Sequence, residues 1–158
     1  MEHRPLDELR DRANVVELEA RVAEAPVESP GALRRARLER LANLLAQHDG
    51  PVRLLSRIEY LPEHERLPLR VDNSPLEIAY RDPLLRAQGL ASDCLGDGIA
   101  FFDLSPGEAH YLLCDCHYTG LVTGDMLAER ARSVAGRISF REMYTKLGAR
   151  LRQWFGRG

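Results

Sequence analysis

The sequence predicts a mainly α-helical fold, a bundle of about six to seven helices with an N-terminal helical hairpin and one small β-hairpin over residues 51–72. Three features point there. Apolar residues recur at spacings of three and four near both ends of the chain, the period of a half-buried helix. Ser-x-x-Glu sequences begin at Ser74, Ser105 and Ser139, and each can close a capping box at a helix start. Between these regions, apolar and polar residues alternate over 52–61 and 67–71, the period of a strand. An all-α fold is the alternative.

In chain order, Leu6, Leu9, Ala13, Val16, Ala20 and Ala23 form the first helical stripe, which Pro26 and Pro30 stop. Ser29-Pro30 then opens a second helix, with the serine as N-cap and the proline at the first helical position. Leu38, Leu41, Leu45 and His48 make its stripe, widened by Leu33 and Leu44, and Asp49-Gly50-Pro51 ends it. Each stripe falls short of the about three to four heptads of a coiled coil, so the hairpin is expected on the protein's own core.

Val52, Leu54, Ser56, Ile58 and Tyr60 supply one side of the first predicted strand, and Leu67, Leu69 and Val71 supply the second. Pro62-Glu63-His64-Glu65 is the turn between them, and Pro68 confines the second strand to an edge. A short helix over 51–60 is the competing reading. A helix from Pro75 is expected to break at Asp82-Pro83 and to end near Gly89. A short helix or irregular turn follows over 93–102. The next helix runs from Pro106 to about Cys114 and stops before Tyr118-Thr119-Gly120. Thr123 or Asp125 caps another with the stripe Leu127, Ala131, Val134 and Ile138, and a last helix covers 140–155. The organisation is a hairpin at 1–50, a connector at 51–73 and a helical region at 74–158, expected to form one unit at a length of 158 residues.

Hydrophobic residues make up 44% and charged residues 29%, an ordinary globular balance. A formal net charge of −2 argues against a bulk nucleic-acid binder, and no specific nucleic-acid binding is expected. The first residues lead straight into charged sequence without an apolar signal region, and no apolar run approaches the ~20 residues of a spanning helix. Three cysteines are an odd number and too few for a disulfide framework, which fits a reduced, cytoplasmic setting.

Charge is unevenly distributed. Residues 87–129 contain no Lys or Arg, seven acids, all three cysteines and the histidines His110 and His117. Residues 130–158 carry eight basic side chains against Glu142 alone. Within the acidic window, His110, Cys114, Cys116 and His117 are candidate metal ligands: four N and S donors suit tetrahedral zinc, and His110 and Cys114 share a helix face. The plainer reading of Cys114 is a small buried residue beside Leu112 and Leu113. No cofactor is expected unless this cluster holds zinc. Cys94 with His110 or His117 would make a nucleophile and base, although acidic surroundings oppose a thiolate. A calcium loop at Asp93 is excluded, because Leu95 and Leu104 stand where ligands belong.

On the last helix, Phe140, Met143, Leu147, Leu151 and Trp154 share a face rimmed by Arg141, Lys146, Arg150 and Arg152. Arg141, Lys146, Arg150, Arg152 and Trp154 are therefore candidate interaction residues, toward a protein groove or, less favoured, a membrane surface. Docking of this helix on the protein's own acidic window is the preferred expectation. With no compelling catalytic set, the sequence reads as a non-enzymatic regulatory or protein-interaction module with a protein partner or self-association. A metal-binding protein, a cysteine-dependent enzyme and a peripheral membrane binder are the alternatives.

Overall fold

Leu38, Leu41 and Leu45 are fully buried along one side of helix α1 (Pro30–Ala46), around which the other elements gather. The structure, a computed structural model, describes residues 29–137. After α1 come α2 (Glu63–Arg66), α3 (Pro75–Arg81), α4 (Pro83–Ala87), α5 (Leu95–Phe102), α6 (Pro106–Leu113) and α7 (Gly124–Ala135). Two 3-10 turns, Ile58–Tyr60 and Asp115–His117, complete the set. The expected first helix, Ile138, Ser139 and the final helix with Arg141, Lys146, Arg150, Arg152 and Trp154 lie outside the described residues.

Most helices start where local chemistry dictates. Ser29 caps α1 by accepting from the Ala32 N–H at 3.3 Å. Ser105 and Glu108 form a complete capping box on α6: the Ser105 Oγ accepts from the Glu108 N–H at 3.3 Å, and Glu108 accepts from the Ser105 N–H at 2.9 Å. At α3, Ser74 accepts from the Glu77 N–H, but Glu77 reaches one residue further back, to the Asn73 N–H. Asp82 both ends α3 and caps α4, accepting from the Leu84 and Leu85 N–H groups at 3.0 and 2.9 Å.

α1 and α7 form the most extensive helix pair, and Leu127, Ala131 and Val134 of α7 are buried as the stripe predicts. Gly124 opens α7 against the C-terminal end of α1, where a Cβ would overlap the Leu45 carbonyl oxygen. Phe102 from α5 and Leu112 and Leu113 from α6 complete one continuous core with α1. Among the described residues, no helix is long and apolar enough to cross a membrane.

The β-hairpin over 51–72 is not formed, and neither is a helix over 51–60. The segment is extended chain joined to distant partners by single bridges, Pro51 with Thr123 and Leu55 with Cys114. Its buried residues are Val52, Leu55 and Ile58, three apart rather than two. The backbone groups of the two expected strands bond elsewhere. The Val52 N–H donates to Val122 O and the Leu55 N–H to Leu113 O, while the carbonyls of Leu67 and Leu69 accept from Gly96 and Leu95 at the start of α5. Arg57 takes a left-handed conformation (φ 55°) that turns the chain into the 3-10 turn, and α2 occupies the expected connection.

Two arginines of α1 reach into the base-free window, one of them to the carboxylate of Glu108. The Arg34 guanidinium, 3% exposed, donates to Glu108 Oε1 at 2.8 Å and to the carbonyls of Asp103, Val134 and Arg137. Arg37 donates to the Phe101 and Gln88 carbonyls and stacks over the Phe101 ring at 4.0 Å.

Candidate metal centre

α6 ends because Cys114 leaves helical geometry (φ −103°, ψ 144°) and turns its side chain into the core, where it is 1% exposed. The extended segment then pairs with Leu55: the Leu55 N–H donates to Leu113 O at 2.9 Å and the Asp115 N–H to Leu55 O at 3.0 Å. The Ser56 hydroxyl adds a hydrogen bond to the Asp115 carboxylate. These anchors set the 3-10 turn Asp115–His117, which carries Cys116 and His117 back over His110 in the last turn of α6.

The three side chains meet there. His117 Nε2 lies 2.9 Å from His110 Nδ1, and Cys116 Sγ lies 3.5 Å from His110 Nε2. One ligand atom from each residue falls within 4.8 Å of the other two. A single tautomer of His110, protonated at Nδ1, satisfies both neighbours: the thiol donates to Nε2 and Nδ1–H donates to His117. Glu59 Oε2 stands 3.8 Å from the same Nε2. Cys116 and His117 are exposed and His110 is partly covered, so an ion can enter from solvent.

Arg130 of α7 holds this arrangement from below. Its guanidinium donates to Tyr111 O at 2.8 Å and His117 O at 2.7 Å, and it stacks on the Tyr118 ring at 3.7 Å. The Tyr111 ring makes an edge contact with His117 at 5.8 Å. Burial pushes the Tyr118 hydroxyl up to about 12, so that ring stays neutral beneath the arginine.

Of the four predicted ligands, His110, Cys116 and His117 converge, whereas Cys114 points into the core. Burial, reinforced by the charges of Cys116, Glu59 and Asp115, pushes its thiol up to about 12, which keeps it protonated. Cys94 is not the partner of either histidine: it caps α5, and its sulfur accepts from the Asp97 N–H at 3.5 Å. The thiol beside an imidazole is Cys116. Sequence reasoning missed Glu59, assigned there to a strand, and Arg130, whose signal was its place as the first base after the base-free window.

A cavity of about 190 Å³ adjoins the cluster. Pro106, Ala109 and His110 border it from one face of α6, and Glu59 borders it from the facing turn. Comparison with protein-family models, curated proteins and solved structures gives no match.

Proposed function

We propose that this is a metal-binding protein that holds one zinc(II) ion through His110, Cys116 and His117. The convergence of these three side chains within 4.8 Å supports this reading more than any other feature. Ligand atoms around one tetrahedral zinc stand about 3.3–3.5 Å apart, given Zn–N near ~2.0 Å and Zn–S near ~2.3 Å, so the ion would draw the three side chains in from their 4.8 Å spread around one nitrogen of His110. Two imidazoles and a thiolate suit zinc and disfavour magnesium or calcium, which take oxygen ligands. Three protein ligands leave a fourth position for water or an exogenous group, the pattern of reactive rather than purely structural sites. The free state of all three thiols suits the reduced, cytoplasmic setting that is part of this proposal.

Titration calorimetry with native mass spectrometry tests it. One zinc per chain is expected. The double variant Cys116→Ser, His117→Ala abolishes binding, whereas Cys114→Ala retains it. Absence of binding at micromolar zinc, or binding indifferent to the double variant, would overturn the proposal.

The Cys116–His110 contact also supports a second reading, a thiol nucleophile with His110 as base. Alkylation separates the two: a Cys116 that reacts with iodoacetamide equally fast with and without zinc favours the nucleophile. A role as a regulatory module with a protein partner, through Arg141, Lys146, Arg150, Arg152 and Trp154, stays a proposal on which the described residues do not bear.

A further inference from the structure

The cavity beside the cluster has apolar walls, among them Ile58, Leu67, Leu95 and Ile99, and carries polar groups from Glu59, Glu63, Arg66 and His110 at its edge. His110 belongs to both places. Its Nε2 is 3.5 Å from Cys116 Sγ and 3.8 Å from Glu59 Oε2, and Glu59 lines the cavity as well. An ion held at His110 therefore stands at the cavity's edge.

We propose that this cavity is the pocket for a small carboxylate with one aromatic ring or a short branched chain, whose carboxylate completes the coordination of the zinc. The proposal rests on the metal reading above. Volume selects the apolar part: an apolar cavity of ~150 Å³ admits benzene, so about 190 Å³ accommodates one ring with a short tether. Charge selects the head. Arg66 is offset by Glu59 and Glu63 in the same lining, so the head is selected by the metal itself: zinc with one thiolate and two neutral imidazoles keeps a net positive charge and an open position, which a carboxylate oxygen complements. Glu59 is the protein's own competitor for that position: a carboxylate ligand displaces it or shares the ion with it.

Cobalt(II)-substituted full-length protein is the test, because its visible spectrum reports the fourth ligand. Metal loading is measured first. Acetate and phenylacetate are then titrated, with methyl NMR of Leu95 and Ile99 recorded in parallel. Phenylacetate is expected to bind at least about tenfold tighter than acetate, the gain from burying a ring of this size, and to shift both methyl sets. Ile99→Trp fills the cavity and abolishes the preference while cobalt still binds. Leu67→Trp is the second filling variant should the first not fold. Bound cobalt with equal responses to the two acids, or with no response, overturns the pocket and leaves the metal site standing. Failure to load metal overturns both, and the loading step reports it.

Discussion

The Arg130 guanidinium donates to the carbonyl oxygen of His117 at 2.7 Å and so ties a candidate metal ligand to helix α7. A second N–H bonds Tyr111 O at 2.8 Å, next in sequence to His110. One planar group thus fixes both chain segments that supply ligands. Arg130→Met removes the fork and leaves two carbonyls without their donor. Zinc affinity is expected to fall about 10–100-fold, as for other residues that orient ligands. Arg130→Lys does not restore it, because an ammonium can neither fork nor stack. A competition titration with a chromophoric chelator measures the change, and an unaltered affinity would show that Leu55 and Ser56 suffice to hold the turn.

Arg34 is the structural counterpart of Arg130. Its charge is buried at 3% exposure and pairs with Glu108, itself the closing residue of the α6 capping box. Arg34→Met strips Glu108 of its ion-pair partner and withdraws a donor from the carbonyls of Asp103, Val134 and Arg137, of which Val134 keeps the Arg137 N–H. The expected cost is about 3–5 kcal/mol in urea unfolding. Combining it with Glu108→Gln should cost less than the sum of the single changes, since the two share one interaction.

How much of this was readable from sequence depends on the range of the interaction. Caps at Ser29, Ser74 and Ser105 are set within four residues, so helix starts were legible. The hairpin was misread because alternation describes side chains and not where the carbonyls go: those of Leu67 and Leu69 are taken by α5. The cluster of His110, Cys116 and His117 was legible as a set of donor types. Its membership was not, because the helix stops at Leu113 and turns Cys114 inward. Glu59 and the adjoining cavity depend on contacts between distant segments, which no local pattern reports.

Gly124 and Gly107 should respond to alanine with opposite signs. Gly107 lies in the first turn of α6 with open space where a Cβ would go, so Gly107→Ala is expected to stabilise by about 0.4–1 kcal/mol through the unfolded chain. At Gly124 the added carbon meets the Leu45 carbonyl, a backbone group that cannot rotate away. Gly124→Ala must push α7 off α1, at an expected cost of about 1–3 kcal/mol or more. Thermal unfolding of both variants checks the pair. A neutral Gly124→Ala would mean that the two helices can separate at that end without loss.

Asp82 gives the fold a defined acid sensitivity. Its carboxylate is 3% exposed, accepts from Arg40 Nη2 at 2.6 Å and caps α4 through the Leu84 and Leu85 N–H groups. Burial alone would raise its pKa, but the hydrogen bonds from Arg40, Leu85 and Leu84 outweigh it and hold the carboxyl below the usual aspartate value. The folded state therefore takes up this proton less readily than the unfolded chain, whose aspartate titrates near ~3.9. The stabilisation is fully present above that value and is lost as pH falls through the lower, folded-state value. Asp82→Asn keeps an acceptor for the helix cap but removes the charge facing Arg40. It is expected to cost about 1.5–3 kcal/mol at neutral pH, the worth of hydrogen bonds to a charged group. Below about pH 4 the native carboxyl begins to protonate on unfolding and the gap between the two proteins narrows. Urea unfolding of both proteins from pH 7 to pH 2 measures that gap, and a difference that stays constant across the range would show that Asp82 contributes through its shape and not through its charge.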